Sequence, residues 1–460
     1  MSDSVTFDLR APRRIHLVGI GGAGMSAIAT VLSAMGHTVT GSDLKASLTL
    51  ERLAAGGAQV SVGHRAENLG SPDVVAVSSA VPSSNPEVAT ARERGIPVLT
   101  RAQILAAVVD TRRTVAVAGT HGKTTCCSML ALVLIEAGVR PSFIVGGELN
   151  EIGTGAVWDE GEWLAVEADE SDGTFLQITP EVALVTNVEP DHIEHYGSFD
   201  ALVQAFETFL TEAPGARVVC ADDPVAARLG AEVGAISYGT APTASYRMVD
   251  IEGRRSNTSF SLEHEGQRLG RLELPVPGLH NATNAAGAVV TGLAMGADMA
   301  AAQRALARFT GVARRFQFRG EQGGVSYVDD YAHLPGEVVA TLAAARSGGW
   351  RRIVCVFQPH RYSRTATLWR DFADAFDGAD VLVVTDVYPA GERPRPGVSG
   401  LLVVQAVRDA HPTQQVIYVP TRAALLAELR RTLEPGDLCL TLGAGDLTSL
   451  PDELLVDAAW

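Results

Sequence analysis

One stretch constrains this chain more than any other: the apolar run Val115-Ala116-Val117-Ala118 ends abruptly in Gly119-Thr120-His121-Gly122-Lys123-Thr124-Thr125. The apolar residues predict a buried strand, the glycines a turn, and the residues from Lys123 onward a helix. A chain that turns this way curls its backbone N–H groups around one anion, and the helix N-terminus adds partial positive charge. Lys123 supplies a mobile cation and the Thr124 hydroxyl a hard ligand for Mg²⁺. Gly119, Thr120, His121, Gly122, Lys123, Thr124 and Thr125 therefore read as a cradle for the phosphates of a nucleoside triphosphate. The spacing departs from G-x-x-x-x-G-K-[ST], because Val117 stands where the first glycine belongs. The lysine restores the assignment. The chain's only lysines are Lys45 and Lys123, with arginine at the other such positions. Keeping an ammonium in this loop indicates a need for a compact point charge rather than a planar fork.

The length, 460 residues, implies about three domains, each large enough to bury a core. A chain that is 46% hydrophobic and 20% charged has an ordinary globular composition, without solenoid repeats. Residues 1–14 are polar and no run approaches a membrane span, so a cytoplasmic location is expected. Cys126, Cys127, Cys220, Cys355 and Cys439 include no C-x-x-C pair, which suits reduced, buried thiols rather than disulfides or zinc. A net charge of −16 argues against nucleic acid or an anionic membrane as partner. Anionic phosphates would then require positive charge concentrated locally.

Residues 14–25 read as a strand, a glycine turn and a helix, and 38–43 as a second strand ending in Asp43. Gly19, Gly21 and Gly24 match G-x-G-x-x-G, with Asp43 placed as a ribose-binding acid, the outline of a dinucleotide-binding unit. Strands at 59–62, 74–78 and 97–99 extend this into a doubly wound sheet over residues 1–110. Ser78, Ser79 and Ala80 leave a strand at its C-terminal end, either as a ligand contact or as a plain serine turn. Past the phosphate loop, two apolar strands end in acids: one at Glu167-Ala168-Asp169-Glu170-Ser171-Asp172, the other at Glu189-Pro190-Asp191-His192. In a parallel sheet these ends share an edge with the loop, which makes Glu167 and His192 metal candidates. A zinc pair of His192 and His195 is disfavoured, because no H-E-x-x-H helix is present and Gly197 would break one. Residues 217–277 read as a strand followed by polar hairpins. An alanine-rich helix then opens with Asn281 and Asn284 one turn apart, bracketing a base edge or, in the first case, capping the helix. A boundary falls at 311–316, after which strands at 325–329, 353–357, 381–385, 415–419 and 438–442 form a third α/β domain. Asp329-Asp330-Tyr331-Ala332-His333 and Gln358-Pro359-His360-Arg361-Tyr362-Ser363-Arg364 leave its strand ends. With Arg315 and Lys123 they supply the local cationic surface, solvated arginines being the alternative.

Gly19-Ile20-Gly21-Gly22-Ala23-Gly24-Met25-Ser26, the acidic run 167–172, Asp329 to His333 and Gln358-Pro359-His360-Arg361 together resemble the Mur ligases of peptidoglycan synthesis, over nearly the whole chain. The resemblance is to the branch that adds L-alanine; the Glu-Pro-Arg-Ser-type segment of the tripeptide-recycling branch is absent. Leu334 departs from the pattern, which has a second histidine there. The resemblance implies an N-terminal Rossmann-like UDP-binding domain (1–110), a central P-loop ATPase-like domain (111–312) and a C-terminal Rossmann-like domain for the amino acid (313–460). It implies ATP-dependent joining of L-alanine to UDP-N-acetylmuramate through an acyl phosphate, with Mg²⁺ or Mn²⁺, by a monomer or homodimer. Gly19, Gly21, Gly22, Gly24, Met25, Ser42, Asp43, Ser78, Ser79 and Ala80 would then hold the UDP-sugar. Asn281, Asn284 and Asp330 would surround the nucleoside, with Arg315 and Lys123 on the phosphates. Thr124 and Glu167 would bind one metal ion and His192 a second. Tyr331, His333, Arg361 and Arg364 would lie near alanine and the acyl intermediate, with His360 alongside; Lys123, His192, His333 and Arg361 are the implied catalytic residues. A nicotinamide-dependent oxidoreductase would explain the first glycine loop but leave the second idle, and a nucleotide-sensing regulator would use both without chemistry.

The resemblance also carries an expectation that this chain does not meet. Several Mur ligases hold a second metal with a carbamylated lysine shortly after the histidine matching His192, yet residues 193–214 contain no lysine. Arginine cannot replace it, because its guanidinium stays protonated. Activity of degassed enzyme should therefore be indifferent to bicarbonate at constant pH and ionic strength; a substantial rise in rate would contradict this.

Overall fold

A computed structural model describes residues 7–78, 80–171, 173–253 and 257–456. The chain divides into two compact units. The first runs to Val249 and includes Ser261–Leu272 and Thr283–Phe309; the second comprises Asp250–Phe260, Glu273–Ala282 and the chain from Thr310 on.

Within the first unit, a five-stranded parallel sheet has the order Gln59–Val62, Thr38–Asp43, Arg14–Val18, Val74–Val77, Val98–Thr100. The order reverses between Arg14–Val18 and Val74–Val77, so the crevice for a ligand opens where those two strands end. Gly19 leaves the first of them and Ser78 the second. Gly19 has φ +80°, and a Cβ there would stand 3.0 Å from Cβ of Ser78. Only glycine lets the two turns approach this closely.

A ten-stranded sheet comes next along the chain. Its centre sets Arg113–Ala118 between Val182–Val185 and Trp163–Glu167, all parallel. Val117 pairs with Glu167 and Ala118 with Val185. The three strands therefore end level, and the loops that leave them are delivered to one edge. Val115 to Ala118 are fully buried, as expected for a strand covered on both faces. Beyond Trp163–Glu167 lies a hairpin of Ser142–Leu149 and Thr154–Val157.

The second unit holds a six-stranded sheet in the order Gln317–Gln322, Val325–Asp330, Asp437–Leu442, Arg352–Phe357, Val381–Val384, Gln415–Tyr418. Only the first pairing is antiparallel. Asp330 and Phe357 both pair with Leu442, which brings the two polar segments after them to one edge.

The first sheet is tied to its loops by a buried carboxylate. Glu87, in the helix Pro86–Glu93 capped by Asn85, is wholly buried. It accepts from Ser42 Oγ (2.5 Å), Asn68 Nδ2 (2.7 Å) and the N–H of Arg65 (2.9 Å), with His16 Nε2 at 3.2 Å. Burial pushes this carboxyl up, but the bonds from His16, Ser42, Asn68 and Arg65 outweigh it and hold the pKa at about 2, against 4.5 ordinarily. A depressed carboxyl contributes stability that is present above its unfolded pKa and lost as pH falls through the folded one. Glu87→Gln should thus cost about 3 kcal/mol at neutral pH, since each tenfold strengthening of the acid corresponds to about 1.4 kcal/mol. Calorimetric unfolding should show the deficit shrinking as pH falls from 4.5 toward 2. A deficit constant across that window would refute the assignment.

Candidate active site

The phosphate loop is shaped by residues from the neighbouring strand end. Gly119 has φ +133°, and a Cβ there would collide with Oγ1 of Thr186. That hydroxyl donates to the carbonyl of His121 at 2.6 Å. Asn187 bridges the same residue, accepting from its N–H at 2.8 Å and donating to its carbonyl at 3.0 Å. Its own carbonyl accepts from the N–H of Thr120. Gly122, at φ 81° and ψ −6°, is the N-cap of the helix Lys123–Glu136. A Cβ on it would strike Oδ1 of Asn284, which sets Asn284 against the loop. The first bond of the helix runs from Cys126 N to Gly122 O. The N–H groups of Lys123, Thr124 and Thr125 thus precede any partner the helix can offer, and Gly122 has no side chain to cap them.

The Lys123 side chain is largely buried against this turn. Its ammonium donates to Gly119 O (2.6 Å), Thr120 O (3.2 Å) and Glu170 Oε1 (2.9 Å). Burial works against the charge, but Glu170, Asp169 and Glu167 outweigh it and hold the pKa above the ordinary lysine value. Thr124 Oγ1 donates to Glu167 Oε1 at 2.9 Å, and the other oxygen of Glu167 accepts from Gly146 N at 2.6 Å. Thr124 and Glu167 thus set two hard oxygens side by side, the chemistry Mg²⁺ takes. Among the described residues, no group of three or more His, Cys, Asp or Glu could hold a metal ion. An ion here would complete its shell with phosphate oxygens and water, as Mg²⁺ prefers. His192 lies in the segment after Val182–Val185, with φ 53° and Nε2 3.3 Å from Asp191 Oδ2. It leads into the single helical turn Ile193–Tyr196, stopped by Gly197, and His195 is exposed.

At the first glycine loop, the carbonyl of Ser42 accepts from Gly19 N (2.8 Å) and Ile20 N (3.1 Å). Asp43 Oδ2 accepts from Gly21 N at 2.9 Å. Gly22 caps the helix Ala23–Ala34, in which Met25 is buried. Ser78 Oγ accepts weakly from Ala80 N at 3.4 Å, closing a serine turn against Gly19. Ser79 lies outside the described residues. Lys45, shortly after Asp43, is exposed.

The second unit gathers a separate cluster. The ring of Tyr331 stands edge-on to His333 (5.3 Å between centroids), His333 edge-on to His360 (5.5 Å), and His360 stacks on Tyr388 (5.8 Å). The guanidinium of Arg315 lies 5.1 Å from the Tyr331 ring centre and that of Arg314 4.8 Å. Burial, His333, Arg364 and Arg361 push His360 down to about 3, so its imidazole is neutral at physiological pH. Arg361 has φ 67° and ψ 137°, a conformation costly for any residue with a Cβ and found mostly where function requires it. It is held there by its N–H to Tyr388 O at 2.8 Å. Asp330 is buried, accepting from Phe316 N and Ala332 N, both at 2.7 Å; burial raises it to about 6 against the pull of Arg315 and those bonds. It braces the Arg315 segment directly. Asn281 donates to Pro277 O at 2.7 Å. Leu334, at the N-cap of Pro335–Ser347, is buried and cannot accept; Glu337 instead reaches back to the N–H groups of His333 and Leu334.

Sequence reading missed Thr186, Asn187 and Glu170 as shapers of the loop. Their positions beside strand ends were a usable signal, since polar residues there face the ligand edge.

Three family models match in succession: the Mur ligase family catalytic domain over residues 14–113, the Mur ligase middle domain over 117–292 and the Mur ligase glutamate ligase domain over 314–445. A UDP-N-acetylmuramate–L-alanine ligase of Solidesulfovibrio magneticus is 49% identical over 440 residues, covering 95% of this chain and 96% of that one. One of Anaeromyxobacter dehalogenans is 47% identical over 446 residues, covering 96% and 97%. Among solved structures, the UDP-N-acetylmuramate-alanine ligase of Thermotoga maritima superposes with a TM-score of 0.82 at 30% identity, covering 96% of this chain and 98% of that one.

Three oxygens around one ammonium form a pocket that a tetrahedral donor fills and a planar fork does not. Lys123→Ala and Lys123→Arg should each lower kcat about 10²–10³-fold, the usual cost of losing one preorganised charge contact. Near-normal turnover by the arginine variant in a coupled ADP assay would refute this.

Proposed function

The chain belongs to the Mur ligase family, and we infer that it is the three-domain α/β enzyme that joins L-alanine to the carboxylate of UDP-N-acetylmuramate using ATP. The observation that carries this reading is the phosphate loop, delivered level with the acid-ended strand Trp163–Glu167 and with Val182–Val185, in a chain that aligns almost end to end with L-alanine ligases. Residues 1–110 would take the UDP-sugar, 111–312 ATP, and 313–460 the amino acid. No helix among the described residues is long and apolar enough to cross a membrane, and a cytoplasmic setting, where ATP and sugar nucleotide meet, suits the reaction.

Lys123 and the N–H groups opening its helix would bind the β- and γ-phosphates, with Asn284 beside the loop. Thr124 and Glu167 would hold Mg²⁺, which neutralises charge on the triphosphate when bound; His192 would serve a second ion. The muramate carboxylate attacks the γ-phosphorus, and the bond to the β,γ-bridging oxygen breaks to release ADP and leave an acyl phosphate. The amine of L-alanine then attacks the acyl carbon, and the tetrahedral adduct expels phosphate to form the amide. Positioning and charge neutralisation supply most of the acceleration in such a sequence. Arg361 and Arg364 would hold anionic groups of alanine and the acyl phosphate. Tyr331, His333 and the neutral His360 would wall the alanine side, and Arg315 would take phosphate.

Phosphate release from ATP, measured with UDP-N-acetylmuramate and each of several amino acids, should depend on L-alanine. Release indifferent to the amino acid, or absent altogether, would overturn the reading. Arg361→Ala should lower kcat/KM for alanine about 10²-fold, the scale for losing a charged hydrogen bond of about 3 kcal/mol.

A further inference from the structure

The phosphate loop contains a peptide whose orientation its own residues leave open. Glycine accepts either sign of φ, so with Gly122 on one side the His121–Gly122 peptide could turn its carbonyl or its N–H toward a ligand. The choice decides what the loop attracts, because backbone N–H groups favour an anion and a carbonyl oxygen repels one. Here the carbonyl is held at the end of the strand Val182–Val185. His121 O accepts from Thr186 Oγ1 at 2.6 Å and from Asn187 Nδ2 at 3.0 Å. Among the described residues no peptide bond is cis, and in a trans peptide the C=O and N–H point in opposite directions. The double grip on His121 O therefore sends the Gly122 N–H to the other side. It heads the series formed with the N–H groups of Lys123, Thr124 and Thr125, ahead of the first helical bond from Cys126 N to Gly122 O.

Asn187 can do this in one orientation only. Its Oδ1 accepts from His121 N at 2.8 Å while its Nδ2 donates to His121 O, and its main-chain carbonyl accepts from Thr120 N at 3.0 Å. Thr186 is buried, and the one alternative for its hydroxyl proton, Ala118 O, is farther away at 3.3 Å. We propose that Thr186 and Asn187 are positioning residues for phosphoryl transfer, which lock the His121–Gly122 peptide with its N–H toward the triphosphate. The proposal rests on the reading of this loop as the ATP site. It gives the pair a part in nucleotide affinity, beyond holding the loop to the sheet.

The test is calorimetric titration of the full-length protein with the β,γ-imido analogue of ATP and Mg²⁺, alongside initial rates and the unfolding temperature. Asn187→Leu, close in shape but with neither donor nor acceptor, should raise Kd for the analogue and KM for ATP about tenfold, the scale of one or two neutral hydrogen bonds. KM for UDP-N-acetylmuramate should change little. Thr186→Val keeps a branched side chain beside Gly119 and removes only the hydroxyl; it should weaken the analogue about fivefold, and Thr186→Ser should restore wild-type affinity. The two threonine variants carry the test if the leucine variant does not fold. Unchanged analogue affinity in folded Asn187→Leu or Thr186→Val overturns the proposal. So does a rise in both KM values together with a fall in unfolding temperature, the mark of a purely structural role. Failure of the wild-type protein to bind the analogue would overturn the reading of the loop itself, a distinguishable outcome.

Discussion

The phosphate loop depends on a steric fact about one α-carbon. Oγ1 of Thr186 occupies the space that a side chain at residue 119 would need, so the loop can pass only as glycine, at a backbone angle that other residues rarely adopt. The close approach is productive because the hydroxyl continues to His121 O and Asn187 grips that residue from both sides. Thr186 and Asn187 directly follow the strand Val182–Val185, which lies level with Arg113–Ala118. Sheet register, glycine conformation and loop shape form one mechanical chain, and Lys123 is seated at its end.

Charge is arranged against the average of the molecule. A chain with 53 acidic and 37 basic residues keeps a largely buried ammonium beside Glu170, Asp169 and Glu167, and in its other unit sets Arg314 and Arg315 over a tyrosine ring. Burial raises the energy of each charge that lacks a partner, and here partners are supplied by acids and carbonyls already in place. On the proposed reading the loop is preorganised for exchange: a phosphate that displaced Glu170 from Lys123 would put one acceptor of its ammonium in place of another.

Much of this was legible in the sequence, because strand, turn and helix are short-range patterns. The runs into Gly19, Gly119, Glu167 and Asp330 could be read from alternation and punctuation alone, and their delivery to sheet edges followed from parallel topology. The links between segments were not legible in that way. Lys123 meets Glu170 47 residues away, Asn187 meets His121 66 away, and Arg101 meets Asp169 68 away. No local periodicity encodes such pairs. The hairpin of Ser142–Leu149 and Thr154–Val157 also escaped, since its glycines and mixed polarity resemble a loop. The strain at Arg361 was invisible for a related reason: residue type alone does not reveal that Tyr388 holds its backbone at positive φ.

The near-absence of lysine has a practical side. Of the two lysines, one is largely buried and held in an ion pair at the phosphate loop and the other is exposed two residues after Asp43. Amine-directed chemistry on the side chains of the folded protein therefore meets one open ε-amino group, next to the first glycine loop. A fluorophore coupled to that side chain, while Lys123 stays an ammonium and thus a poor nucleophile, would report from beside the loop without any engineered residue.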